Sequence, residues 1–226
     1  MNVKREVATA RSPIGGICAI IVGIINVFLL LYVIAIPADQ RFGSGSFYEF
    51  YIAHPANYTV VWTVIALTGL LCFSAVLPAV NRRLEGFRNE WSRIVSLLAI
   101  AGWMVMALKF FTLLGSAPAL AETYLSGDEL TRNTLDAIGL YQLDPYEFLA
   151  MACPGLWLIT VNVIAFKERV WNRVVAVFGM VIGLGYIAVT PASIFELEML
   201  DMVAAGIGAV TAPVWFIYIG IRLFKA

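Results

Sequence analysis

Residues 14–36 read IGGICAIIVGIINVFLLLYVIAI, a run without a single charge. At 1.5 Å per residue, a helix of this length covers roughly 34 Å, enough to cross the ~30 Å hydrocarbon core of a bilayer. Five further runs of comparable character occupy 59–80, 94–115, 148–166, 174–195 and 202–222, and none has a carboxylate in its middle. The gaps between them hold charges, prolines or both, which fixes the number of spans at six. The sequence therefore predicts an all-α, polytopic six-helix transmembrane bundle, with residues 1–226 as one integral membrane domain. Composition agrees: 61% of the chain is apolar and 13% charged, at a mean hydropathy of +0.86. A soluble domain sits near about 45–50% and 25%, so a soluble enzyme, a nucleic-acid binder and a disordered chain are excluded.

Lys4, Arg5 and Arg11 precede the first run, as in a signal peptide. Its apolar stretch exceeds the roughly 7–15 residues of a signal h-region and no A-x-A site follows, so it reads as a retained helix.

The net charge of zero separates by loop. The N-terminus, the second and fourth loops and the C-terminus carry nearly all the basic residues, among them Arg82, Arg83, Arg88, Arg93, Lys167, Arg169, Arg173, Arg222 and Lys225, and total +8. The other three loops total −9, with Arg41 and Arg132 as their only bases, and Lys109 inside a span closes the balance. The positive-inside rule then predicts both termini in the cytoplasm. Trp91 and Trp171 on the inner side, with Tyr58 and Trp62 on the outer, fall where aromatic belts are expected.

The first outer loop leads through Gly43, Ser44, Gly45 and Ser46 into Phe47, Tyr48, Phe50 and Tyr51, a pattern for a segment lying at the interface. In the third loop Ser126-x-x-Glu129 has the form of a capping box. Leu130, Thr134, Ile138 and Tyr141 recur at helical spacing behind it, predicting a short amphipathic helix in the long outer loop. Gly15, Ala19 and Gly23 share one face of the first helix, and Gly179 and Gly183 share one of the fifth, where backbones can approach closely. No repeat relates the two halves, which weakens an inverted-repeat transporter.

The candidate intramembrane polar and functional residues are Lys109, Asn26, Asn162, Glu196, Glu198 and Pro213. Lys109 lies about 22 Å into the core from Ile94, roughly 8 Å short of the outer interface, a distance a lysine can largely snorkel. Glu196 and Glu198 are the carboxylates best placed to pair with it. Interhelical hydrogen bonds explain Asn26 and Asn162 without any ligand, and as a solute-binding cluster they lack a diagnostic spacing. Pro213 sits centrally enough to bend the last helix and line a cavity.

Absences narrow the chemistry. His54 is the only histidine and falls in an outer loop, so a bis-histidine haem is excluded and a His-containing metal cluster is not expected. There is no rhomboid G-x-S-G serine, no last-helix lysine for retinal before Lys225, no pair of Asn-Pro-Ala boxes, no arginine ladder and no P-loop. Cys18, Cys72 and Cys153 all fall within spans and read as small apolar fillers without a disulfide. No catalytic residue, cofactor-binding residue or metal ligand is assigned.

Gly155-Leu156-Trp157-Leu158 in the fourth span is followed by a short basic loop from Lys167 to Arg173, Gly179-x-x-x-Gly183-x-Gly185-Tyr186-Ile187, and a last helix containing Trp215. Together with Ala10-Arg11 and Leu135-Asp136 this pattern resembles a bacterial six-span family catalogued as a domain of unknown function, departing from it at Pro13 and in the first outer loop. The resemblance implies a six-helix bundle in a bacterial cytoplasmic membrane and carries no catalytic residues.

Three functions remain in view. The first is a non-catalytic integral membrane protein acting through the lipid bilayer, a second copy or a membrane-protein partner. The second is a small-solute or ion permease with a midplane cavity near Pro213, Asn26 and Asn162. The third is a lipid-modifying enzyme using Glu196 and Glu198. A continuous polar cavity would favour transport, and a core filled by Trp103, Trp157 and Trp215 would argue against it.

Overall fold

The computed structural model describes residues 12–36, 47–84, 89–138, 148–195 and 197–225. Among these there is no strand. The helices are α1 (Pro13–Ala35), α2 (Phe47–Ala53), α3 (Pro55–Arg83), α4 (Glu90–Ser126), α5 (Glu129–Ile138), α6 (Phe148–Glu168), α7 (Arg173–Ile194) and α8 (Glu198–Lys225). Six of them, α1, α3, α4, α6, α7 and α8, are long and apolar enough to cross a membrane.

Each long helix packs on its neighbour in sequence, and α8 returns to pack on α1, so the six close into a ring. Small residues make that closure possible. Gly16 lies against the Gly220 carbonyl, where a β-carbon would come within 2.8 Å of the oxygen, and Gly220 lies reciprocally against Gly16. Gly155 of α6 and Gly183 of α7 form a second reciprocal contact, each 2.6 Å by the same measure from the other's carbonyl. The small-residue face expected on α1 is the buried one: Gly15, Ala19 and Gly23 point into the bundle, while Ile14, Ile24, Leu31 and Ile34 point out.

A ring of six helices encloses space that must be filled. Trp62, Trp103, Trp157 and Trp215, one each from α3, α4, α6 and α8, are at most 1% exposed, and Phe216, Leu158, Ile182 and Val22 join them in one apolar cluster. Trp157 and Trp215 meet edge to face at 6.2 Å.

Two prolines reshape the ladder. Pro78 has no N–H to give the Ser74 carbonyl, and its ring would clash there. The preceding residues, Cys72–Val76, widen into a π turn, with Leu77 N–H donating to the Cys72 carbonyl. Phe148–Ala152 does the same two residues ahead of Pro154. Pro118, Pro191 and Pro213 lie inside helices that continue through them.

The third span runs eleven residues beyond the expected 115, to Ser126. At 37 residues α4 is roughly 56 Å long, so it projects well past one face of a ~30 Å core. Hydropathy drops after Gly115, but Ala117, Ala119 and Ala121 favour helix, and Ala117, Ala121 and Tyr124 are buried. This extension is the platform against which α2 packs.

The α5 helix covers Glu129–Ile138, and its cap is not the expected Ser126. Asp128 Oδ1 accepts from the Thr131 N–H at 2.8 Å, whereas Ser126 Oγ donates back to the Glu122 carbonyl. Ser126 is still part of α4, so it cannot cap the helix that follows. Leu130 is largely exposed, and Tyr141 lies outside the described residues.

Of the residues expected in aromatic belts, Trp91 is 55% exposed. Tyr58, Trp62 and Trp171 are buried instead: Tyr58 and Trp62 belong to the core, where Trp62 stacks on Tyr51 of α2 and Tyr58 meets the same ring at a tilt. The segment expected to lie at the interface thus turns its tyrosines inward: Tyr48 stacks on Tyr124 at 5.2 Å and Tyr51 on Trp62 at 5.8 Å.

Candidate functional site

Several polar side chains inside the ring pair with one another or with backbone, whereas the Trp103 indole nitrogen and Thr190 Oγ1 are buried without a hydrogen-bond partner. Asn162 of α6 is fully buried. Its amide nitrogen donates to the Leu158 carbonyl at 2.8 Å, and its oxygen accepts from the Trp215 indole of α8 at 2.9 Å. Gly179 of α7 abuts this amide so closely that a β-carbon would collide with it. One side chain therefore ties α6 to α8 across the position where α7 passes.

A second chain of bonds lies nearer the arginine-bearing end. The Trp157 indole donates to Asn81 Oδ1 at 2.8 Å, Asn81 Nδ2 donates to Ser96 Oγ at 2.8 Å, and Ser96 Oγ donates to the Ser92 carbonyl at 2.7 Å. The network joins α6, α3 and α4. Ser92 is itself set by the α4 cap, its N–H donating to Asn89 Oδ1 at 2.8 Å. Sequence reasoning missed Asn81 by ending the span at 80. Its signal was an amide one residue ahead of Arg82 and Arg83, in a last helical turn that still faces the core.

The remaining sequence candidates occupy separate positions. Asn26 is half-buried and donates to the Val22 carbonyl at 2.8 Å and to Thr68 Oγ1 of α3 at 3.0 Å. Pro213 is buried, and its carbonyl faces Gly23 of α1. Asn26, Asn162 and Pro213 have separate partners: Asn26 bonds within α1 and to α3, Pro213 meets Gly23, and Asn162 bonds Trp215, which packs in the ring interior. The wide indole of Trp215 occupies that interior. Lys109 on α4 is half-buried, with its ammonium 5.5 Å from the centroid of the Phe110 ring. Glu196 lies outside the described residues, and Glu198 is described only as the first residue of α8.

The opposite end of the bundle carries a further polar cluster. Tyr124 OH donates to Asp136 Oδ2 at 3.2 Å, and Arg132 donates through Nε to the Tyr124 carbonyl at 3.1 Å and through a terminal nitrogen to that of Leu125 at 3.2 Å. These bonds fold α5 back over the end of α4. Burial, with the Asp136 carboxylate adding to it, raises the Tyr48 hydroxyl above its ordinary pKa, and burial raises Tyr51. Neither tyrosine is poised to ionise near neutrality. An open apolar groove of about 520 Å³ lies at the start of α8, lined by Leu197, Met199, Leu200 and Val203.

Among the described residues no group of three or more His, Cys, Asp or Glu side chains could hold a metal ion. Cys18, Cys72 and Cys153 carry free thiols, the last two buried.

An all-α ring with six span-capable helices and an apolar exterior is the architecture of a multi-pass integral membrane protein. Comparison of the chain with protein-family models, with curated proteins and with solved structures gives no match.

Proposed function

We propose that this chain is a non-catalytic integral membrane protein that acts through a membrane partner or a second copy of itself. It would sit in a bacterial cytoplasmic membrane, as the resemblance to the six-span family implies, with the arginine-bearing end and both termini in the cytoplasm. The charge asymmetry between loops supports that orientation.

The observation carrying the reading is the filled ring interior. Four indoles occupy it, and the amides of Asn81 and Asn162 spend their oxygens on two of those indoles. A solute crossing this interior would have to displace buried tryptophans and break hydrogen bonds that leave indole N–H groups unpaired, at about 1–3 kcal/mol each. That arrangement suits a rigid scaffold better than a conduit.

The test is purification from native membranes in a mild detergent, followed by reconstitution into vesicles. A stoichiometric membrane-protein partner or a stable homo-oligomer, with no solute-selective flux, is expected. A lone copy that conducts a particular solute would instead establish the permease centred on Asn26, Asn162 and Pro213.

A further inference from the structure

Three helix ends converge where the basic residues gather. The Ser12 N–H, just ahead of α1, donates to the Leu223 carbonyl of α8 at 3.3 Å. Arg82 at the end of α3 reaches Ser12 Oγ at 3.4 Å and the Pro78 carbonyl at 3.2 Å. Arg222 spends one terminal nitrogen on the Val170 carbonyl at 3.4 Å.

Arg83 differs from both. One of its terminal guanidinium nitrogens, Nη1, is buried and donates to nothing. Arg222 is close enough for the two positive charges to repel, and among the described residues no carboxylate offsets the charge of Arg83. A buried donor without an acceptor costs about 1–3 kcal/mol, more when it is charged. Two neighbouring guanidinium groups with no counter-ion among the described residues make a ready site for an anion from outside the chain. The guanidinium fork matches phosphate oxygens in geometry and charge. At the polar boundary of a bilayer the abundant phosphates belong to lipid headgroups, and basic pockets between helix ends are where such headgroups bind.

We propose that Arg83 and Arg222 hold the phosphate of an anionic phospholipid headgroup where α1, α3 and α8 converge. The lipid supplies the missing acceptor for Arg83 and cancels the repulsion between the two arginines, so it ties the third helix to the last. The inference requires only that the protein lies in a bilayer and is independent of what partner it serves.

Thermal unfolding of the full chain in dodecyl maltoside tests this, with added phosphatidylglycerol, phosphatidylcholine or inorganic phosphate. Phosphatidylglycerol should raise the midpoint by about 5 °C at saturation, and the other two should not. Arg83→Gln should abolish that shift while unfolding at the same or a higher midpoint in lipid-free detergent, because it removes an unpaired charge. Arg222→Gln should reduce the shift, which keeps the test decisive if Arg83→Gln fails to fold. Arg93→Gln, an exposed arginine at the same end, should leave it intact. A shift that survives Arg83→Gln or disappears equally with Arg93→Gln overturns the proposal. So does an equal response to phosphatidylcholine or inorganic phosphate, or no response to any of the three.

Discussion

Asn26 and Asn162 are the same side chain set in two apolar helices, yet the ring uses them differently. Asn162 is enclosed by three helices, and both ends of its amide are committed, the oxygen to an indole and the nitrogen to backbone. Asn26 stays half-buried at the seam of α1 and α3 and shares one donor group with Val22 and Thr68. A polar group's weight in a membrane bundle follows from how many buried partners depend on it, more than from its being in the membrane. Removing Asn162 strands an indole N–H; removing Asn26 leaves a hydroxyl that can turn elsewhere.

Asn162→Ala should therefore have the largest effect. It opens a cavity and orphans the Trp215 N–H, so a loss of about 2–4 kcal/mol is expected in reversible unfolding in detergent. Asn26→Ala under the same conditions should cost about 0.6 kcal/mol, the average for interhelical hydrogen bonds in membranes. Equal losses would break the contrast. Gly179→Ala sharpens it from the other side of the amide, since the added methyl collides with Asn162 and should cost about 1–3 kcal/mol. Combined with Asn162→Ala, most of the glycine effect should vanish, and simple additivity would show that the two residues do not touch.

The smallest effect lies outside the ring. Hydrogen bonds from the Thr131 hydroxyl and N–H hold the Asp128 carboxyl below its ordinary pKa. Its stabilisation of α5 is present above the unfolded value of about 3.9 and is lost as pH falls through the lower folded value. Amide exchange at Thr131, measured between neutral pH and the acid range and corrected for intrinsic rates, should lose protection in acid. Asp128→Ala should remove that dependence and leave exchange within α6 and α8 unchanged.

Most of the fold was legible in the sequence because lipid imposes length and apolarity on each span, and the six helices fall where the hydrophobic runs do. What hydropathy could not show is what happens when a helix leaves that constraint. The extension of α4 beyond Gly115 is stabilised by alanines and by Tyr124 packing on Tyr48, neither of which a hydropathy window registers. Tyr58 and Trp62 have the composition of an interfacial belt, and only the return of α2 over the ring end turns them into core.

The prolines make the same point. Pro213 drew attention by its central position, but the π turns precede Pro78 and Pro154, and proline content alone does not distinguish those sites. Of the site candidates, Asn26 and Asn162 were legible as isolated polar residues in apolar runs. Their partners were not, because Trp215 and Thr68 are far away in sequence. Arg83 was hidden among equivalent arginines, since its burial depends on three helix ends meeting.

The ring interior is packed by indole and aliphatic side chains. Cys72 and Cys153 are native probes of it, both free and both buried. Their modification by a small, water-soluble thiosulfonate, followed by mass spectrometry on the folded protein in vesicles, is the most direct test. Neither thiol should react until the protein is unfolded; rapid labelling of Cys72 or Cys153 in the folded state would contradict a filled core and point to a water-accessible path through the ring.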